Sequence, residues 1–278
     1  MKVLIAGANG QLGQEMQHLL DERGQEYLAE DSQGLDITDK EAVDAYFEKN
    51  KPEVVYHCAA YTAVDKAEGE GKELNWKVNV DGTENIAKAC QKVGATLLYV
   101  STDYVFDGNR TSGEYLPDDP KGPRNEYGKA KLAGEEAVQK YCDKYYIIRT
   151  AWVYGRWGHN FVYTMLNLAK NHDKLTVVDD QVGRPTWTRT LAEFLTYLVD
   201  NNVEYGVYHC CNDGQCSWYE FAKEILKDTD VDVQPVTSDQ YPTTAFRPHY
   251  SVMKLAKETG FVFPDWKEAL DEFLSEVK

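Results

Sequence analysis

The sequence predicts an α/β fold: a Rossmann-like doubly wound parallel sheet followed by a smaller C-terminal lobe. Three observations predict it. The chain opens on a short apolar run, Val3 to Ala6, that breaks into glycines and then into a helical pattern. A run of that length suits a strand buried on both faces. Through the first half, strand-like and helix-like segments alternate, as in a parallel sheet covered by helices on both sides. With 278 residues, 42% of them hydrophobic, the chain can bury one large core or two unequal ones.

The first turn carries the most information. Gly7, Gly10 and Gly13 follow the strand at Gly-x-x-Gly-x-x-Gly spacing. Gly7 allows a tight turn, Gly10 lets backbone approach a pyrophosphate, and Gly13 lets a helix pack close to the strand. The free N–H groups and the dipole of a helix over Gln11–Glu22 then face phosphates. The motif therefore points to a dinucleotide.

Further strands are expected near Glu26–Ala29, Val54–His57, Thr96–Ser101 and Tyr145–Arg149, with helices near Lys40–Asn50, Lys72–Lys92 and Glu126–Lys140. Thr38 or Asp39 suits the N-cap of the second helix. Residues 1–155 then form the dinucleotide-binding domain. Residues 156–278 form mainly a substrate-binding lobe, with some segments returning to the sheet. In that half, helices are expected near Asn160–Lys170, Leu191–Asp200, Ser217–Lys227, Val252–Thr259 and Trp266–Glu276. Strands are expected at Leu175–Val178 and Val207–Cys210, and Gln240–Pro248 reads as loop. The crevice at the carboxyl ends of the strands is the expected site.

Composition excludes several function classes. A net charge of −16 argues against nucleic acid or an anionic membrane as partner. No apolar stretch approaches the roughly 20 residues of a membrane span, and the opening run is too short for a signal peptide. The six cysteines form no Cys-x-x-Cys pair. They read as reduced, buried thiols of a cytoplasmic protein, without a metal site.

The chemistry concentrates further on. Tyr127 and Lys131 lie four residues apart on an expected helix, one turn from each other on one face. A lysine ammonium beside a phenol favours the phenolate and lowers the Tyr pKa, which tunes Tyr127 as a general acid. Thr102 ends the strand that precedes them, where its hydroxyl can bond the same substrate oxygen. Ser101 is the competing hydroxyl.

Together, Gly7–Gly13, the run Ser101-Thr-Asp-Tyr-Val-Phe-Asp-Gly108 and the run Tyr127-Gly-Lys-Ala-Lys-Leu-Ala-Gly-Glu135 resemble the dTDP-4-dehydrorhamnose reductase family of extended short-chain dehydrogenases/reductases. The resemblance spans essentially the whole chain, including His57–Glu68, Arg149–Gly155, Asp180–Thr186 and Arg247–Ser251. It implies reduction of the 4-keto group of dTDP-4-dehydro-β-L-rhamnose by hydride from a nicotinamide cofactor, with Tyr127 as proton donor. It implies that Lys131 holds the nicotinamide ribose and that Thr102 orients the ketone. Asn9, Gly10, Gln11 and Leu12 would wrap the pyrophosphate. Asp36 and Ile37 would lie against the adenine, and Ala60, Tyr61 and Thr62 would line the cofactor. Trp152 would contact the sugar nucleotide with Asp103 beside it, and Arg184 and Arg247 are candidates for its diphosphate.

Glu30 and Asp31 follow the second strand, where carboxylates suit ribose hydroxyls and repel a 2′-phosphate. That favours NADH slightly over NADPH. Some family members dimerise through carboxylates sharing a divalent ion. Glu15 stands at a comparable place here, but Arg189 falls where another carboxylate is expected. The expectation is therefore no metal and a monomer or weak homodimer. Two alternatives remain: another nucleotide-sugar reductase or epimerase, and a non-catalytic methionine adenosyltransferase regulatory subunit.

Overall fold

The computed structural model describes residues 1–277. Six parallel strands form the central sheet, in the spatial order Gly206–His209, Tyr145–Thr150, Thr96–Thr102, Val54–His57, Val3–Ala6, Tyr27–Glu30. The first half alternates β1 (Val3–Ala6), α1 (Gln11–Glu22), β2 (Tyr27–Glu30), α2 (Lys40–Asn50) and β3 (Val54–His57). After the short helices α3 (Val64–Ala67) and α4 (Lys72–Trp76) come a π-helical turn (Lys77–Gly82), α5 (Thr83–Val93) and β4 (Thr96–Thr102). Then come α6 (Glu126–Tyr141) and β5 (Tyr145–Thr150). Asp39, not Thr38, caps α2, accepting from the Glu41 and Ala42 amides.

The expected single helix over Lys72–Lys92 is thus interrupted. Asn79, inside the π-helical turn, donates to the Tyr61 carbonyl and accepts from the Tyr61 amide. It also reaches Asn75, which bonds the Glu126 carbonyl at the start of α6. The wider turn aims Asn79 at the loop after β3, a use to which π-bulges are often put.

The second half holds β6 (Val153–Tyr154), α7 (Phe161–Ala169), β7 (Lys174–Val178), β8 (Val182–Gly183), β9 (Thr186–Trp187) and α8 (Thr188–Asp200). It continues with β10 (Gly206–His209), β11 (Cys216–Ser217), α9 (Trp218–Ile225), β12 (Asp232–Val236) and α10 (Trp266–Val277). Strand β10 pairs with β5, so this half completes the main sheet. The expected helix over Val252–Thr259 is not formed. Tyr115 donates to the Val252 carbonyl and accepts from the Lys254 amide, and this tertiary pairing holds the segment extended. Only Lys257–Thr259 turns, as a 3₁₀ helix. Strand β12 was not foreseen; it carries Pro235, which a two-stranded edge pair with β7 tolerates.

Apolar side chains fill three cores. Met16, Leu19, Phe194 and Leu195 cover one face of the sheet; Val43, Phe47, Ile86 and Val138 cover the other. Val162, Phe221, Trp266 and Phe273 build the core of the second lobe. Each such side chain contributes about 1.5–3 kcal/mol on burial.

One polar contact crosses the interior where α6 meets β4 and β5. Arg149 of β5 forks onto Glu135 of α6, with Nε and Nη2 at 2.8 and 2.7 Å from its two oxygens. Ser101 of β4 donates to the same carboxylate at 2.6 Å. Both charged side chains are almost fully buried. Arg149→Met alone should strand the Glu135 carboxylate and lower the unfolding free energy by about 3–5 kcal/mol; adding Glu135→Leu should recover most of it. Urea unfolding of the two variants checks this. An equal loss in both would mean that side-chain volume, not charge, carries the contact.

Candidate active site

The glycine turn is built as its spacing requires. Gly7 has φ 87°, in the left-handed region. A Cβ on Gly13 would stand 2.2 Å from the Gly7 carbonyl, so only glycine lets α1 sit this close. Asn9 and Gly10 are exposed, and no side chain caps the start of α1. Its first N–H groups are therefore left for an anion, and they fit a pyrophosphate. The Gln11 side chain is engaged with Asn160 of the second lobe and Leu12 is buried, so these two residues offer backbone to the groove.

At the end of β2, Glu30 accepts from Tyr46 at 2.9 Å. Asp31 accepts from the Gln33 and Gly34 amides and from the Asn9 side chain. Both carboxylates stand where expected, and both are occupied by protein donors. Asp36 is exposed and its carboxyl is held below the usual range by the Thr38 hydroxyl and amide. Ile37 is buried against Gly82. Ala60, Tyr61 and Thr62 follow β3, with Tyr61 fixed by Asn79.

At the carboxyl end of β4, Thr102 donates to Asp103 at 3.0 Å and lies within hydrogen-bonding reach of the Tyr127 phenol. Asn125 caps α6 through the Gly128 amide, which fixes the start of the helix at Glu126 and Tyr127 in its first turn. Lys131 is buried one turn on, its ammonium 4.1 Å above the Tyr99 ring.

The expected effect of Lys131 on Tyr127 is corrected. Burial pushes the phenol up, and Asp103 and Tyr104 add to this; the Thr102 hydrogen bond opposes it. Burial also lowers Lys131 to about 7, opposed by Glu135. The dry interior, not a lysine-stabilised phenolate, dominates, and Tyr127 holds its proton. His57, buried beside Lys131, is lowered to about 3 by burial and by that lysine, so it is neutral. Ser101 does not face the phenol's proton path; it is bound to Glu135.

A cavity of about 590 Å³ opens next to this group, lined in part by Asp103, Tyr104, Trp152, Trp218 and Arg247. Arg247 donates to the Tyr104 hydroxyl at 3.1 Å and pairs with Asp65. Arg184 is not brought here. Its guanidinium is spent on the Gly214 and Met253 carbonyls and on Glu114, so the structure gives it a fold-holding role instead. Glu15 is buried, bonded to Thr188 at 2.9 Å, and Arg189 ion-pairs with Glu22 and Glu193 beside it.

The family described as RmlD substrate binding domain matches residues 1–278. The chain belongs to that family. It is 43% identical to the dTDP-4-dehydrorhamnose reductase of Streptomyces griseus over 97% of this chain and 91% of that one. The crystal structure of a dTDP-4-dehydrorhamnose reductase from Clostridium acetobutylicum superposes with a TM-score of 0.96 at 47% identity, covering 100% and 99% of the two chains. That of a Bacillus anthracis enzyme of the same name, in complex with NADP, gives 0.95 at 41% identity and 99% of both chains.

Within this RmlD-family site, sequence reading missed Glu135, Asp65 and Trp218. Glu135 was detectable, standing four residues beyond Lys131; the other two are brought in only by tertiary packing. Asp103 carries a pH signature. Burial raises its carboxyl from 3.8 to about 6, against hydrogen bonds from Ser251 and Thr102. The folded state therefore binds a proton that the unfolded chain has released, and stability falls as pH rises through that window. The unfolding free energy of Asp103→Asn minus that of the native chain should climb by about 2–3 kcal/mol between pH 4 and pH 6, then level off. Urea unfolding across pH checks this; a flat difference would contradict it.

Proposed function

We infer that the chain reduces the 4-keto group of dTDP-4-dehydro-β-L-rhamnose to give dTDP-L-rhamnose, with NADH or NADPH as reductant. The observation that carries this reading is a cavity of about 590 Å³ lined by Asp103 and Tyr104, the two residues that follow Thr102 and bear on the Tyr127 phenol, in a chain of this family.

The bound dinucleotide supplies the hydride. Gly7–Gly13 and the open start of α1 hold its pyrophosphate, Ala60–Thr62 line it, and Lys131 reaches the ribose beside its nicotinamide. Thr102 orients the ketone oxygen. As the carbon–oxygen π bond breaks and C4 gains a hydride, the oxygen takes its proton from Tyr127. A protonated phenol in a dry site suits that role better than a phenolate does. The nearby Lys131 ammonium compensates charge as it develops on the phenol. Trp152, Asp103 and Arg247 take the sugar nucleotide. The Bacillus anthracis dTDP-4-dehydrorhamnose reductase is known in complex with NADP, so both cofactors fit the reading. Free thiols and a sugar-nucleotide substrate support a cytoplasmic enzyme, and a monomer or weak homodimer belongs to the same reading.

The test is NADH and NADPH oxidation with dTDP-4-dehydro-L-rhamnose, set against other 4-keto nucleotide sugars. Oxidation should be fast with the rhamnose precursor alone. Tyr127→Phe should cut turnover about 10²–10⁴-fold while cofactor affinity stays near native. Turnover of a different keto sugar would replace the substrate, and a near-native Tyr127→Phe would place the acid elsewhere.

A further inference from the structure

Trp152 is held in place by parts of the chain far apart in sequence. It follows β5 and adopts φ 49°, a left-handed conformation that an aromatic residue adopts only when its surroundings impose it. Its indole lies stacked on that of Trp218, the first residue of α9, with centroids 3.7 Å apart and planes 15° from parallel. Trp218 in turn packs against Phe161 of α7 at 4.6 Å. Gly183 of β8 approaches the Trp152 ring so closely that a Cβ there would stand 2.8 and 2.9 Å from Cε2 and Cζ2. That same Cβ would lie 3.1 Å from the Ser251 hydroxyl, which bonds Asp103. A continuous line of contacts therefore runs from Asp103, at the reacting end of the cavity, through Trp152 and Trp218 to the apolar end near Met165 and Val177.

We propose that Trp218 is a positioning residue for the nucleotide sugar: its stack on Trp152, seated by Gly183, fixes that ring as a rigid wall of the cavity against its own backbone preference. Trp218 thereby sets substrate affinity without taking part in proton or hydride movement. A wall already locked before binding has little ordering entropy left to lose. The inference rests on the proposed reduction of a dTDP-sugar.

The test uses Trp218→Ala, Trp218→Phe and Gly183→Ala in the full chain. Loss of an aromatic stack should raise KM for dTDP-4-dehydro-L-rhamnose about tenfold in Trp218→Ala. A change confined to uniform binding leaves kcat within about threefold and NADPH affinity unchanged. Gly183→Ala, whose Cβ would press on the Trp152 ring while leaving its stacking partner in the chain, should reproduce the KM effect. Trp218→Phe keeps a stacking face and should remain near native in KM. The exciton couplet of the stacked indoles in circular dichroism should vanish in both Trp218 variants and change when dTDP binds the native chain. Native KM in both Trp218→Ala and Gly183→Ala would overturn the proposal, as would a KM rise that tracks loss of NADPH affinity. A native chain that neither binds dTDP nor turns over the keto sugar would overturn the functional reading itself, and this inference with it.

Discussion

The fork between Arg149 and Glu135 is the contact on which the site depends. Among the described residues it is the one buried ion pair that joins α6 to the sheet. Tyr127, Lys131 and Glu135 are spaced one helical turn apart, so anchoring Glu135 sets the height and rotation of the other two. Ser101 bonds the same carboxylate, and Thr102 is the next residue on β4. The strand hydroxyl and the helix phenol are thus held relative to each other through one carboxylate. Two buried charges contribute little net stability against an apolar replacement. What they supply here is direction: three hydrogen bonds onto one carboxylate tie α6 to β4 and β5.

The same burial sets the chemistry. Water is kept from the interface of α6 with β4, so neutral forms are favoured wherever no partner offsets the loss of solvent. Tyr127 keeps its proton, His57 stays neutral, and Lys131 is lowered to about 7, with Glu135 opposing the effect of burial. Tyr127 and Lys131 stand one helical turn apart on α6 before any ligand arrives. Preorganisation of that kind lowers the cost of reorganising solvent during the reaction.

Features that depend on nearest neighbours in sequence were legible without coordinates. The strand and glycine turn at Val3–Gly13, the alternation of strands and helices, and the Tyr127–Lys131 spacing are all local, and all are found. Local reading failed where distant segments decide. The π-helical turn at Lys77–Gly82 carries Asn79 onto the Tyr61 backbone, and Val252–Lys254 is held extended by Tyr115. Arginine chemistry alone suggested a diphosphate ligand at Arg184, but two carbonyls from separate loops claim it. The direction of the Tyr127 shift was misjudged for a related reason: spacing reports that a lysine is near, whereas burial, a property of the whole fold, is the larger effect.

The most direct measurement of the central claim is isotopic. NADPH carrying deuterium at the transferable C4 position should be incubated in ordinary water with dTDP-4-dehydro-L-rhamnose and the native chain, and the product examined by NMR. The account predicts one deuterium on C4 of the rhamnosyl ring, with the hydroxyl proton drawn from the protein and solvent. Deuterium retained in the cofactor while the sugar changes configuration, or lost to water, would contradict a direct reduction.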